Sequence, residues 1–258
     1  MSPTALQRMV VRMMFDPILV ARLYDGKAVD GVDEEDCALL TKPDRRAWGT
    51  DPYRRSRALT GLIAEFPASC AQAGLDALDA FFSSSVFHVC ISERGSLTEA
   101  FARWVAQRAG PVARIEQAMA QVRRPIPLAG EGVVLSPKVA VITVSGGTLD
   151  QYRAIQDQLG SDPVGRIANR ETQPVPRPTR HGKEHLLIQA SPAGKVTVST
   201  ASPGLTKLLE AAMLPCPRGR LLAIARDLGA STRQAEAVVS ELESDGLLTE
   251  AVAAGTSG

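Results

Sequence analysis

The sequence predicts an α+β fold because its hydrophobic period changes along the chain. Residues 1–124 repeat apolar side chains at helical spacing, which predicts a helical bundle. The run Lys138–Val144 is rich in β-branched residues and predicts a strand within a short β/α segment, 125–168. Residues 184–258 combine two strand patterns with three helical ones. We therefore expect a bundle, a small β/α segment and a C-terminal module of mixed structure.

A proline-rich stretch marks the clearest predicted boundary. Pro174, Pro176 and Pro178 stand at alternate positions and favour an extended backbone without a helix. We therefore assign residues 169–183 to a linker that precedes the C-terminal module.

Capping residues predict where helices of the bundle begin. Asp16 precedes Pro17, a pair typical of an N-cap followed by the first helical residue. Ser96 and Glu99 have the spacing of a capping box. The segment Pro52–Phe66 places its apolar side chains on one stripe and is a further helix.

A glycine pair precedes the helix predicted within the β/α segment. Gly146 and Gly147 lead into Leu149–Leu159, with Thr148 and Gln151 spaced as another capping box. Such a turn can hold phosphate at a helix N-terminus. No lysine or third glycine accompanies the pair, so a simple tight turn is the favoured interpretation.

The bulk composition argues against general attraction to nucleic acid or to anionic membranes. The chain has 258 residues, 45% of them hydrophobic and 22% charged, with a formal net charge of +1. A partner must therefore be selected by local surfaces. No apolar run reaches the roughly 18 residues that a membrane span needs, so we expect a cytoplasmic protein without a membrane partner.

No catalytic or metal-ligating group is predicted. His181 and His185 have helical ligand spacing, but Gly182 makes a helix there improbable. His88 stands near Cys90 without a third residue to orient it, so a nucleophilic pair is disfavoured. The cysteines are widely spaced and are expected to be reduced thiols, namely Cys37, Cys70, Cys90 and Cys216.

The C-terminal module has the element order of a small winged helix. Two strands are predicted at Glu184–Ala190 and Lys195–Thr200. Three helices are predicted at Pro203–Met213, Arg218–Leu228 and Thr232–Ser244. A winged helix often binds DNA through its last helix, so the charge of that helix bears on the function.

That last helix is acidic. It carries Glu236, Glu241, Glu243 and Asp245 against a single arginine, Arg233. Affinity for a duplex depends largely on neutralising phosphates with lysine and arginine. The sequence therefore predicts that nucleic acid is a poor ligand for this module.

The C-terminal module combines the strand pair with the helical segments LLEAA, RLLAIARDLG and AEAVVSELESDGLL. This combination resembles the peptide-recognition elements of ribosomal peptide natural-product pathways. These winged-helix modules are typified by the pyrroloquinoline-quinone chaperone. The resemblance implies that the leader of a precursor peptide adds as a strand to the module's edge and rests on its last helix. The implied peptide-binding residues are Val196, Thr197, Val198, Ser199 and Thr200 on the edge strand and Gln234, Ala237, Val238 and Glu241 on the helix.

An alternative for the edge strand stays open at this point. The strand pair could already be paired on both sides, with Lys138–Val144 completing a three-stranded sheet. Charges and prolines protect a free edge from pairing with another strand, and few of either lie within Val196–Thr200. This favours an edge that binds a further strand.

A second resemblance lies in two segments of the first region, DRRAWGTDPYRRSRALTGLIAEFPAS and FFSSSVFHVCISERGSLTEAFARWV. These segments resemble the partner subunits of multinuclear non-haem iron oxidative enzymes, such as those of methanobactin and thiaglutamate biosynthesis. The resemblance implies a non-catalytic subunit without its own cofactor, beside a TIM-barrel enzyme with two or three iron ions. The candidate interface residues are Arg45, Arg46, Trp48, Tyr53, Arg54 and Arg57; an exposed basic helix with packed aromatic residues is an equally favoured interpretation.

Two functions remain as hypotheses. The leading one is a partner subunit that binds a precursor leader and presents it to the iron enzyme. The alternative is a winged-helix DNA-binding regulator with an N-terminal ligand-sensing bundle. Its candidate DNA contacts are Arg218, Arg220 and Arg226. An enzyme with an unfamiliar site is a third possibility, without nameable residues.

Overall fold

The computed structural model describes residues 1–49 and 52–252. Two residues of the quoted basic run, Thr50 and Asp51, and residues 253–258 of the predicted module lie outside that description. The chain divides into two compact units, Met1–Ala113 with Tyr152–Pro176 and Arg114–Gln151 with Arg177–Gly258. The fold contains both helices and sheets, so the α+β prediction is confirmed, whereas the boundaries at 124, 168 and 183 stay predictions.

The helices of the described residues are numbered in chain order. They are α1 (Pro3–Phe15), α2 (Pro17–Tyr24), α3 (Glu34–Leu40), α4 (Arg45–Gly49), α5 (Pro52–Glu65), α6 (Pro67–Ala73), α7 (Leu75–Asp79), α8 (Ser85–Glu93), α9 (Leu97–Ala109), α10 (Val112–Arg123), α11 (Thr148–Leu159), α12 (Pro163–Ala168), α13 (Pro203–Ala211), α14 (Arg218–Asp227) and α15 (Thr232–Ser244). A 3₁₀ turn at Ala80–Ser83 lies between α7 and α8.

Helix caps in the first unit follow the sequence prediction. Asp16 caps α2, since its Oδ1 accepts hydrogen bonds from the amides of Ile18 (3.0 Å) and Leu19 (3.1 Å). Ser96 caps α9, where its hydroxyl accepts from the amide of Glu99 at 3.3 Å. Both side chains satisfy donors that a helix start leaves without partners. The predicted capping box is incomplete, since among the described residues the Glu99 side chain does not accept from the Ser96 amide in return.

Aromatic side chains form much of the core of the first unit. The ring centre of Phe81 lies 5.1 Å from that of Phe101, with the two rings nearly perpendicular, and 5.5 Å from that of Trp104. Phe66, Phe82 and Phe87 are also fully or almost fully buried. Edge-to-face contacts of this kind add to the stabilisation that area burial supplies.

The second unit contains two small sheets. The strands are β1 (Val133–Leu135), β2 (Val139–Ser145), β3 (Lys183–Ala190), β4 (Val196–Thr200) and β5 (Leu248–Glu250). One sheet is antiparallel with the order β2-β3-β4, and β1 pairs with β5 in the other. The two strands predicted in the C-terminal module are therefore present, and the predicted strand of the β/α segment joins them.

Three helices follow the three-stranded sheet in the second unit. The apolar cluster beneath them joins Val139 and Val141 of β2 to Leu209 of α13, Leu221 of α14 and Val239 of α15. Ser231 and Gln234 form the predicted capping box at the start of α15, with both reciprocal hydrogen bonds present. The element order agrees with the prediction, and the specific winged-helix arrangement stays a prediction.

Helix length and composition bear on membrane insertion. Among the residues described, no single helix is both long and apolar enough to cross a bilayer. One pair, Leu75–Ser83 and Ser85–Glu93, meets the length and composition requirement jointly but is bent by 48°.

Asp16 couples the first unit's stability to pH. Burial raises the pKa of this carboxyl, but hydrogen bonds from His88, Ser83 and the Leu19 amide outweigh it and lower the pKa below its ordinary value of 3.8. A lowered folded-state pKa means that the carboxylate stabilises the fold above the ordinary value. That contribution is lost as pH falls through the folded-state pKa.

We expect Asp16→Ala to lower the free energy of unfolding by about 1–3 kcal/mol at pH 7, because a cap and two side-chain contacts are lost. Asp16→Asn keeps a capping oxygen and should cost less. Urea denaturation between pH 3 and pH 7 measures both variants. A wild-type protein and an Asp16→Asn variant with the same acid sensitivity would contradict the assignment.

Candidate functional site

The register of β3 and β4 determines which backbone groups of β4 point outward. The Ala201 amide donates to the His185 carbonyl, and the Ser191 amide donates to the Lys195 carbonyl, each at 2.8 Å. Hydrogen-bonded pairs alternate with non-bonded pairs along an antiparallel ladder. Alternate residues starting at Lys195 therefore face β3.

The remaining residues of β4 present their backbone to the outer side. By the same alternation the N–H and C=O groups of Val196, Val198 and Thr200 point away from β3. No strand among the described residues pairs with this side of β4. The sheet therefore ends there in a free edge.

At the opposite edge of the sheet, a charged side chain occupies one outward carbonyl of β2. The Ala190 amide bonds the Lys138 carbonyl, which places the backbone of Val139, Val141 and Thr143 on the outer side of β2. Arg114 of α10 donates from Nη1 to the Thr143 carbonyl at 2.7 Å. Charged groups at an edge discourage the addition of further strands.

The alternative left open for the edge strand is thus answered. Lys138–Val144 does complete a three-stranded sheet, but it pairs with β3 and leaves the outer side of β4 open. The β4 side chains alternate in burial: Val196 and Val198 are half-buried, whereas Thr197 and Ser199 are exposed. Thr200 is exposed as well.

The four residues predicted on the last helix form one exposed stripe. Gln234, Ala237, Val238 and Glu241 follow helical spacing on α15, and Val238 is 38% exposed. The side-chain oxygen of Gln234 accepts from the amide and hydroxyl of Ser231, so the capping box already uses it. α15 packs on α14 and β5, while α13 packs on β2 and β3. These four side chains are therefore exposed together on one face of α15.

Arg218 neutralises part of the acidic helix. Its guanidinium bonds Glu236 at 2.8 Å, Glu243 at 3.1 Å and the Ser240 hydroxyl at 2.9 Å. The hydrogen bonds to Glu236 and then Glu243 raise the pKa of Arg218. Arg218 is one of the candidate DNA contacts of the alternative hypothesis, whereas in the structure its guanidinium binds side chains of α15.

The predicted interface residues divide into packed and exposed groups. Trp48 is half-buried, and its indole N–H donates to the Tyr24 hydroxyl at 2.9 Å. Tyr53 is 76% exposed. Arg45 lies 3.7 Å from Asp25, an exposed ion pair of small energetic weight.

The other predicted interface arginines are also on the surface. Arg46 and Arg57 are exposed, and Arg54 contacts the sulfur of Met14 at 3.3 Å. The neighbouring Arg55 has a structural role, since it bonds Asp79 and the Phe15 carbonyl and lies over the Phe82 ring. Tyr53, Arg46 and Arg57 are thus the predicted residues most available to a partner.

His88 and Cys90 do not form a nucleophilic pair. Arg12 donates to His88 Nδ1 at 3.0 Å, and His88 Nε2 contacts Asp16 at 3.3 Å, so both ring nitrogens are engaged elsewhere. Burial raises the pKa of the Cys90 thiol, which disfavours the thiolate. In the described parts of the chain, three or more metal-ligating side chains never cluster.

The glycine turn before α11 is occupied by a carboxylate. Glu184 of β3 accepts hydrogen bonds from the amides of Gly147 (2.7 Å) and Leu149 (3.0 Å). Thr148 is the first residue of the helix and its hydroxyl donates to the Ser145 carbonyl, so the predicted capping role of Thr148 is wrong. A phosphate at this helix start would have to displace Glu184.

Comparison with known proteins adds no further assignment. No protein-family model matches the chain, and the search of curated proteins found no match either.

Glu184→Gln is expected to lower the free energy of unfolding by about 1–2 kcal/mol, because charge-assisted hydrogen bonds to a helix N-terminus are lost. Glu241→Gln is the matched control, since Glu241 is exposed and forms no ion pair with the residues described; its effect should stay within about 0.5 kcal/mol. Chemical denaturation at pH 7 compares the two. Equal effects would show that Glu184 has no special role.

Proposed function

We propose that this protein is a non-catalytic partner subunit that binds the leader of a ribosomally synthesised precursor peptide and presents it to an iron-dependent oxidative enzyme. The single observation that carries the peptide-binding part is the free outer edge of β4. The enzyme-partner part is supported by the resemblance of the first region to such subunits.

The free edge can bind an extended segment through main-chain hydrogen bonds. Val196, Val198 and Thr200 each turn one donor and one acceptor outward. Each hydrogen bond in such a pairing contributes roughly 0.5–1.5 kcal/mol net. A leader that adds as a fourth strand would satisfy groups that otherwise rely on water.

Side chains beside the edge supply a basis for selecting a sequence. Val196 and Val198 are half-buried on one face of the strand, whereas Thr197 and Ser199 are exposed on the other. An added strand would place its own side chains alternately on these two faces. Apolar residues at every second position of the leader would pack beside the valines.

The exposed stripe of α15 is the proposed second contact. Val238 offers an apolar side chain, and Glu241 a charge, at neighbouring positions of one helix face. A leader held by the β4 edge would reach this stripe with residues beyond the paired segment. Gln234 would contribute only through its amide NH₂, because its oxygen is used by the cap.

The proposed enzyme contact lies on the first unit. The exposed residues there include Tyr53, Arg46 and Arg57. Tyrosine and arginine are residue types that contribute strongly to the binding energy of protein interfaces. The partner enzyme would carry the two or three iron ions and perform the chemistry. This chain would supply only binding and positioning.

The DNA-regulator alternative has weaker support. Of the arginines that it requires, Arg218 is held by Glu236 and Glu243, while Arg220 and Arg226 are exposed. On α15 and at its C-cap, the exposed carboxylates of Glu241 and Asp245 would repel phosphates.

Val198→Pro is expected to weaken binding of a fluorescently labelled precursor leader at least about 10-fold, because it removes an outward N–H. Fluorescence anisotropy measures the affinity, and circular dichroism checks the fold. The fold should persist, since this N–H does not pair with β3. Val198→Ala keeps the N–H and should bind more tightly than Val198→Pro.

Thr197→Pro serves as the control for sheet damage, because the Thr197 amide faces β3 and its loss should destabilise the sheet. Leader affinity that is the same in wild type and a folded Val198→Pro variant would place the peptide elsewhere.

The double variant Tyr53→Ala/Arg57→Ala is expected to weaken association with the proposed multinuclear non-haem iron enzyme by about 10-fold or more. Co-purification and analytical size exclusion measure the association. Arg123→Ala, at an exposed position at the end of α10, is the control and should associate normally. Absence of any wild-type complex would contradict the partner-subunit proposal.

A further inference from the structure

A groove in the first unit lies between helices α1 and α8. α1 contributes a stripe that includes Arg8, Val11 and Phe15, and α8 contributes Phe87 and Ile91. These side chains recur at helical spacing, so each helix turns one face toward the groove. The groove has a volume of about 470 Å³, within the range of small-molecule sites.

Arg8 lines this apolar groove without a counter-charge. It is half-buried, and its Nε is buried without a hydrogen-bond partner. Its side chain forms no ion pair or hydrogen bond with the residues that the structure describes. Leaving a buried polar donor unsatisfied is costly, so an acceptor group supplied by a ligand would stabilise Arg8 at this place.

A second arginine lines the same groove in a backbone conformation that disfavours it. Arg94 ends α8 in the left-handed region, with φ of 53°, and Gly95 follows it. Glycine is the residue that this position of a helix end normally favours. Arg94 is exposed and forms no side-chain ion pair among the described residues. The strained position holds a second cation at the groove.

We propose that this groove binds a small organic anion with an apolar body, of the medium-chain carboxylate class. The guanidinium groups of Arg8 and Arg94 would bind the carboxylate, since arginine pairs with carboxylates through paired hydrogen bonds. Val11, Phe15 and Ile91 would cover the hydrocarbon part. The site is independent of the peptide-binding edge and does not rest on the proposed function.

Octanoate is the probe, with acetate and octylamine as controls for the apolar body and the charge. Isothermal titration of the full chain should show saturable octanoate binding with a dissociation constant below about 1 mM. Acetate and octylamine should each bind at least about 10-fold more weakly. Wild-type protein that does not bind octanoate, or binds octylamine equally well, overturns the proposal.

Two variants separate a ligand-binding role from a structural one. Arg8→Met and Arg94→Gly should each weaken octanoate binding about 10-fold or more. Arg8→Met should leave the melting temperature unchanged or higher, because it removes a half-buried arginine whose buried Nε has no hydrogen-bond partner. Arg94→Gly should raise it by about 2–4 °C, because glycine relieves the left-handed residue.

Arg108→Met is the matched control in the same unit. Arg108 lies 3.8 Å from the centre of the Trp104 ring and donates to the Trp104 carbonyl. Its replacement should lower the melting temperature and leave octanoate affinity unchanged. Unchanged octanoate affinity in both Arg8→Met and Arg94→Gly, or a loss of stability in Arg8→Met as large as that of Arg108→Met, overturns the proposal.

Discussion

The register of the three-stranded sheet is the constraint on which the functional proposal depends. β3 is paired on both sides, so every unpaired backbone group of the sheet belongs to β2 or β4. The alternation of an antiparallel ladder then determines which residues turn these groups outward. A shift of one residue would reverse the set and carry the valines of β4 to the other face. The same register places the Thr143 carbonyl, which Arg114 binds, on the outer side of β2.

Most features that depend on residues close in sequence could be predicted; the cap expected at Thr148 is an exception, because Thr148 is already the first residue of α11. The capping box of Ser231 and Gln234 spans three residues, and the cap by Asp16 acts on the next turn, so spacing alone identifies both. The bounds of β4 and α15 were likewise set by local alternation and helical spacing. Such patterns report the backbone conformation of their own segment, which is why these predictions are confirmed.

Features that depend on distant residues could not be found in the same way. Glu184 lies 37 residues beyond the glycine whose amide it binds, and Arg114 lies 29 residues before Thr143. The charge of α15 was counted within one helix, whereas Arg218, 18 residues before Glu236, neutralises part of it. A sequence pattern contains no distances of this kind. For the same reason Arg8 could not be identified from the sequence, because the lack of a hydrogen-bond partner for its buried Nε is visible only in the folded structure.

The order β2-β3-β4 has a consequence for dissecting the protein. β2 comes from the chain before the proline-rich stretch, yet it occupies one side of β3. A fragment that starts at Glu184 would lose β2 together with Arg114. The β3–β4 hairpin would then have unpaired backbone N–H and C=O groups along both edges. Pairing between copies of the fragment would compete with binding of a peptide. A fragment that preserves the three-stranded sheet and the contact of Arg114 must therefore start at or before Arg114.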